Sequence, residues 1–334
     1  MKILFIENRA KTYFWEKIAQ NLSKEHEVHW LVQNKNYSPK NKKRVQFIKY
    51  PNKNILDDYF DNNIEEIISI DRQINHFKQK DKTYFYYYNK KINDYLTKLK
   101  PDVVFGESTA FHELLTIYNC KKLNILYLNP STSRYPKDRF AFYEFDTLKP
   151  FKGSNESISE LEANKLIREI KENKTQPDYM KLKMPNFIDK TFDKIMKIHS
   201  YFSGERFNTP NPLVKYRKER EKEKFQKLWE SSSKDLHEIK NKGFVCLYPL
   251  QFQPEANIDV YGSKYRNQAK LIDSISQSIP ENAILLIKPN PKSHYEINQI
   301  LIDTINLRNN VFALPYNVSM KSILEKTNLV ITVT

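Results

Sequence analysis

Two hydrophobic strand patterns in the last third of the chain, each ending in a polar cluster, constrain the fold more than any other feature. The first, 243–249, runs into Leu250-Gln251-Phe252-Gln253-Pro254-Glu255. The second ends in Ile287-Lys288-Pro289-Asn290-Pro291, and a helical pattern separates the two. Strands that alternate with helices predict a parallel, doubly wound sheet. Polar groups gathered at successive strand ends predict a ligand crevice at the carboxyl edge of that sheet.

The same alternation opens the chain. Lys2 to Ile6 reads as a buried strand, followed by an amphipathic helix with Phe14, Trp15, Ile18, Ala19 and Leu22 on one face. Strands are predicted at 27–32, 45–50, 101–106 and 123–128. One or two long helices fill 55–98 and carry the aromatic run Tyr84 to Tyr88, which reads as helix packing. Residues 131–240 change character, with Pro- and Arg-rich loops giving way to charged helices. The run 215–224 mixes both signs and reads as a solvated helix face. After Gly243 the alternation resumes, with strands at 244–249, 283–288, 311–314 and 329–334. The expected architecture is therefore α/β, with two Rossmann-like doubly wound domains, 1–150 and 241–334, joined by a helical linker or insertion at 151–240. A strand of such a sheet is normally followed by a covering helix, so a chain ending at Thr334 leads us to expect an incomplete second domain.

Several function classes fall away. The five glycines, Gly106, Gly153, Gly204, Gly243 and Gly262, are too scattered for a dinucleotide or P-loop turn. No Asp-x-Asp occurs, so no metal and no bound cofactor are expected. Cys120 and Cys246 lack metal spacing and read as buried free thiols of a cytoplasmic protein. No apolar run approaches membrane-spanning length. The 55 Lys and Arg against 40 Asp and Glu give a net charge of +15, which suits an anionic partner. Genome base bias would produce the same lysine excess. No nucleic-acid module is present, and no nucleic-acid partner is expected.

The strand ends supply the candidate residues. Glu7 follows the first strand, with Arg9 near enough to neutralise it. Glu107 follows the fourth, just before Ser108 and Thr109, which can cap the helix containing His112. A carboxylate at a buried strand end is costly unless paired or used. Glu107 is the candidate base for an acceptor hydroxyl, against the plainer reading of a carboxylate bonded to nearby backbone. In the loop 133–140, Arg134 or Arg139 can hold an acidic sugar or a phosphate by a two-point fork; a salt bridge to Asp138 is the alternative. In the second domain Gln251, Gln253 and Glu255 can bond ribose, base or sugar hydroxyls. Lys288 and Asn290 lie before a helix start, and Ser319 and Thr332 border the same edge. His294 reads as a loop histidine.

At these residues the chain resembles the capsule polysaccharide biosynthesis family of bacterial GT-B glycosyltransferases, which includes enzymes moving Kdo or related ulosonic acids from CMP-activated donors. The resemblance is carried by Ile3-Leu4-Phe5-Ile6 with Phe14-Trp15, by Arg139-Phe140, by the segment 249–255, and by Lys288-Pro289-Asn290-Pro291. It implies a metal-independent glycosyltransferase. The second domain would bind the nucleotide through Gln251, Gln253, Glu255, Lys288, Asn290, Ser319 and Thr332. The first would bind a glycan or glycolipid acceptor, with Arg134, Arg139 and His112 beside the candidate bases Glu107 and Glu7. Members commonly carry Lys-Glu-His-Pro, so Asn290 stands where their histidine stands and can donate a hydrogen bond but no charge. This leaves a UDP- or GDP-sugar as the alternative donor, and a noncatalytic nucleotide-binding protein of polysaccharide assembly as the alternative class. The positive charge would favour peripheral contact with the inner membrane face.

Overall fold

The computed structural model describes residues 1–52, 60–132, 135, 139–153, 156–172, 174–175, 187–239, 243–292 and 294–333. Arg134 and the rest of the 133–138 loop apart from Tyr135, like Thr334, lie outside them. In chain order the elements are β1 (Lys2–Ile6), α1 (Thr12–Leu22), β2 (Glu27–Val32), β3 (Val45–Phe47), α2 (Glu65–Ile70), α3 (Arg72–His76), α4 (Thr83–Leu99), β4 (Val103–Phe105), α5 (Phe111–Lys122), β5 (Leu126–Thr132), β6 (Phe140–Glu144), α6 (Glu160–Lys171), α7 (Phe187–Phe202) and α8 (Pro212–Ser232). There follow β7 (Val245–Pro249), α9 (Gln268–Ser278), β8 (Ile284–Lys288), α10 (Gln299–Asn306), β9 (Val311–Ala313), α11 (Met320–Leu324) and β10 (Leu329–Val330).

The chain forms two compact α/β units, each with its own sheet. Met1–Ile64 with Thr83–Thr209 make the first; Glu65–Lys82 with Pro210–Thr334 make the second. The helical stretch expected at 151–240 is thus shared out, α6 and α7 going to the first unit and α8 to the second.

The first sheet runs β3-β2-β1-β4-β5-β6, parallel except for β6. Its core stacks Phe5 on Trp30 and Phe105, with Trp15 and Ala19 of α1 packed against the same face. The side chains of Tyr84 through Tyr88 are all buried, so the aromatic run of α4 is packing. Strand β6 was read from sequence as part of a loop. It pairs antiparallel to β5 because Phe140 gains ring contacts with Phe14 and Trp15, and Phe142 with Phe105.

The second sheet, β10-β7-β8-β9, is entirely parallel. Strands β7, β8 and β9 are apolar on both faces, as a sheet covered on two sides requires, whereas Leu329 and Val330 of the edge strand β10 are exposed. One cluster gathers Tyr248, Leu285, Ile287, Ile272 and Leu301; the other gathers Leu247, Leu286, Leu314 and Ile323. The charged α8 enters this core through a single fully buried side chain, Trp229, whose indole N–H donates to the Leu314 carbonyl at 2.9 Å. Side-chain caps start the helices, Asn211 before Pro212 of α8, Asn267 before α9 and Asn298 before α10. Cys120 and Cys246 are buried free thiols, and burial pushes Cys120 up to about 12.

Candidate active site

Each sheet reverses its strand order at one place. In the first unit the chain leaves β1 for β2 and β3, then returns on the other side of β1 with β4, so the switch point lies between β1 and β4. In the second it runs outward from β7 to β9 and returns with β10 beside β7. Loops diverge at such a point and leave a crevice at the carboxyl ends of the strands. The residues after β1 and β4 are Glu7, Asn8 and Glu107; those after β7 and β10 are Gln251 and Thr332.

The first switch point is charged. Glu107 Oε1 accepts from Lys11 Nζ at 2.5 Å, and its Oε2 accepts from the Asn8 side-chain amide at 3.3 Å. Burial pushes the Glu107 carboxyl above the ordinary range, and the neighbouring Glu113 adds to this; Lys11 opposes both. The Glu107 side chain keeps 11 % of its surface and Lys11 62 %, so solvent reaches the pair. Gly106 lets the backbone pass here, because a Cβ would stand 2.3 Å from the Tyr127 hydroxyl and 3.0 Å from Ile6. That hydroxyl donates to the Glu107 carbonyl at 2.6 Å and fixes the turn.

Helix α5 is capped otherwise than expected. Its N-cap is Ala110, and Glu113 reaches back to accept from the backbone N–H groups of Thr109 and Ala110 at 3.1 and 2.8 Å. Ser108 instead accepts from Asn129 at 2.9 Å. Glu7 is buried, with its two oxygens accepting from the backbone N–H groups of Arg9 at 2.6 Å and Asn34 at 2.8 Å. Burial raises its pKa as well. Its bonds are those of a fixed loop tie between β1 and β2, whereas Glu107 is the carboxylate that remains accessible. His112 is buried against the Glu7 carbonyl at 2.8 Å and the Asn208 side chain at 2.9 Å. Arg139 ion-pairs with Glu156, at the exposed end of β6.

The second switch point is built of amides. Gln251 donates to Thr332 Oγ1 at 3.5 Å, across the gap between β7 and β10. Gln268, at the start of α9, holds the loop from behind: its carbonyl accepts from the Gln251 N–H at 2.8 Å and the Tyr248 hydroxyl at 3.1 Å. Its NH2 donates to the Gln251 carbonyl at 2.8 Å and to Gln253 Oε1 at 2.9 Å. Gln253 is itself buried, with its NH2 donating to Asp259 at 2.8 Å and to the Arg266 carbonyl at 3.1 Å. Glu255 is exposed beyond it. Nothing in the spacing marked Gln268 or Asp259. The only signal was a glutamine at a helix start, where a smaller polar residue is usual.

Lys288 ends β8, one strand away from the switch point. Its ammonium donates to the carbonyls of Pro289, Pro315 and Tyr316 at 3.4, 3.3 and 2.9 Å, which uses every proton it has. Burial lowers its pKa. Asn290 accepts from the Lys292 N–H at 2.9 Å, and Ser319 is the N-cap of α11. His294 stacks on Phe252 at 5.6 Å and on Tyr295 at 3.8 Å, and burial lowers its pKa. The cavity lined by Ala283, Ile284 and Asn310 opens at the amino edge of β8 and β9, the end away from these residues. Asp235, His237 and Glu238 place ligand atoms within 4.8 Å of one another, but all three are exposed and none is at a strand end.

No protein-family model matches the chain, and no curated protein matches it. Among solved structures it is similar to the UDP-GlcNAc 2-epimerase of Methanocaldococcus jannaschii, at 12% identity over 99% of this chain and 78% of that one, with a TM-score of 0.26. The corresponding enzyme of Neisseria meningitidis bound to UDP-GlcNAc gives 11%, 99%, 77% and 0.25. A glycosyltransferase of Rickettsia africae gives 10%, 98%, 72% and 0.23. With scores of this size, the fold rests on the chain's own strand order: two Rossmann-like α/β units, the class expected from sequence.

Proposed function

We propose that the chain is a nucleotide-sugar glycosyltransferase that works without a metal, with its acceptor-activating group in the first unit and its nucleotide-binding groups in the second. The observation that carries this reading is Glu107. It stands at the carboxyl-edge switch point of the first sheet, within solvent reach, and its pKa is raised by burial and by Glu113. A base that must take a hydroxyl proton works best when its pKa lies nearer the working pH. Lys11 and Asn8 keep the carboxylate aimed, Lys11 being the exposed partner.

In the second unit Gln251 and Thr332 would bond the ribose or sugar hydroxyls, with Glu255 and Asn290 alongside. Neutral amides suit hydroxyl and base recognition; the charge on the departing nucleoside phosphate would be met by backbone donors and cations. Lys288 enters that role only if phosphate displaces one of its three carbonyl partners. The specific donor we propose is a CMP-linked ulosonic acid such as Kdo, transferred to a surface polysaccharide or its lipid-linked precursor. The segment 249–255 supports it. Asn290, in place of a histidine, leaves a UDP- or GDP-sugar as the second reading. The +15 charge would bring the enzyme to anionic lipid-linked acceptors. Among the described residues no helix is long and apolar enough to cross a membrane.

Turnover assays with CMP-, UDP- and GDP-sugars on the full chain and on Glu107→Gln test the proposal. We expect turnover by the full chain and its loss in the variant, with nucleotide binding kept. Turnover that survives the substitution removes Glu107 from the mechanism, and absence of any nucleotide binding by the full chain removes the proposal.

A further inference from the structure

Helix α7 carries its apolar stripe on the outside. Along Phe187–Phe202 the side chains of Ile188, Phe192, Ile195 and Phe202 recur at spacings of four, three and seven, which places them on one helical face. Their fractional exposures are 74%, 63%, 57% and 72%, and Ile198 at its margin is 37% exposed. Side chains this large at helical spacing normally face a core. A contiguous exposed patch of this kind marks an interaction surface.

The helix is oriented by its attachments. Ser200, off the stripe, is fully buried and accepts from the Asn36 side chain at 2.9 Å. Just past the helix, Glu205 is fully buried and accepts from Gln33 at 3.0 Å and from the backbone N–H groups of Phe207 and Asn208 at 3.1 and 2.8 Å. These bonds secure the carboxyl end of α7 to the first unit, and the stripe remains exposed along the helix.

The polar flank identifies the occupant. Lys190 and Lys194 are exposed on the side away from the stripe, and Lys197 is paired with Asp193. A helix with Phe and Ile on one face and lysines on the other lies in the plane of a bilayer interface, its lysine stems reaching back to the headgroups. A second copy of a chain carrying +15 would be repelled by like charge, whereas an anionic surface would attract it. We propose that α7 is a membrane-docking helix that inserts Ile188, Phe192, Ile195 and Phe202 into the interface of an anionic bilayer. The docking stands apart from the sugar chemistry and needs no substrate.

Vesicle co-sedimentation of the full chain tests it, with vesicles of phosphatidylcholine alone and with about 30 % phosphatidylglycerol, a surface that attracts basic segments. We expect binding to the anionic vesicles that falls at least about tenfold in Phe192→Asp/Ile195→Asp, the loss expected when charge enters the buried face. Lys190→Glu/Lys194→Glu should weaken binding only at low salt. In a parallel measurement, brominated lipid should quench Phe192→Trp more than the parent chain. Undiminished binding by the double Asp variant overturns the proposal, as does the absence of quenching. A dimer in light scattering that the double Asp variant makes monomeric, with no vesicle binding by the parent chain, assigns the stripe to a second copy and also overturns it.

Discussion

The two switch points are built from opposite materials. The first gathers three charged groups, Glu107, Glu113 and Lys11, around the Asn8 amide, with the Glu107–Lys11 pair open to water. The second gathers Gln251, Gln253, Gln268 and Thr332, neutral groups held by one another's hydrogen bonds and, at Gln253, by the Asp259 carboxylate behind it. Groups that must gain or lose a proton benefit from a setting that moves their pKa. Groups that only recognise hydroxyls benefit from a fixed geometry and no charge to desolvate. The proposed division of labour, proton transfer in the first unit and recognition in the second, follows this contrast.

The largest test of that division is Glu107→Gln. Loss of a general base should lower kcat by roughly 10²- to 10⁴-fold, while nucleotide affinity measured by calorimetry stays within about twofold of the parent. An affinity loss as large as the rate loss would erase the distinction between the units. In the parent chain, the acid limb of the rate profile should lie above the ordinary carboxyl range, because burial raises this group.

Next comes Gln268→Ala, which strips the Gln251 backbone, Gln253 and the Tyr248 hydroxyl of their partner at once. Leaving such buried groups unmet should destabilise the second unit by about 2–4 kcal/mol in denaturant unfolding. A change near zero would mean that the loop is held by something other than this amide.

A separate pH effect acts on the stability of the second unit. His76 is lowered to about 4 by burial, with Lys218, His294 and Arg266 adding to it. Its folded pKa lies below the unfolded 6.5, so the unfolded chain takes up the proton first. The stability contributed by neutral His76 is therefore present above about 6.5 and is lost as pH falls toward 4. The loss should reach at most roughly 3 kcal/mol. His76→Gln should flatten that limb, and thermal unfolding between pH 7 and 4 reads the difference.

The smallest effect sharpens the recognition side. Gln251→Ala should weaken nucleotide-sugar binding by about 0.5–1.5 kcal/mol, the net worth of a neutral hydrogen bond, and leave the pH profile of turnover where it was. A shifted profile would place Gln251 in the proton-transfer machinery and blur the comparison.

Hydrophobic periodicity carried most of the fold. β1 at Lys2–Ile6 lies where the pattern placed it, and β7, β8 and β9 agree with it to within a residue at each end. A strand buried on both faces is a continuous apolar run, and that is legible without neighbours. The edge strand β6 was not legible, because its pairing with β5 depends on a partner that no local pattern shows. Strand-end position also singled out Glu107, Gln251 and Thr332. It ranked Glu107 above Glu7 but could not see that Glu7 is tied by two backbone N–H groups, nor that Lys288 spends its ammonium on three carbonyls, since both depend on what folds over them.

The order of residues along the chain determined two alternating α/β halves and polar groups at the ends of their strands, because side-chain period and turn chemistry are local properties. Tertiary structure alone decided which strand lies beside which, and so where each sheet reverses, which carboxylate stays open to water and which helix face is left uncovered. Those outcomes rest on contacts between residues tens to hundreds of positions apart, as with Asn8 and Glu107 or Gln251 and Thr332. Burial, hydrogen bonding and pKa take their values from such contacts.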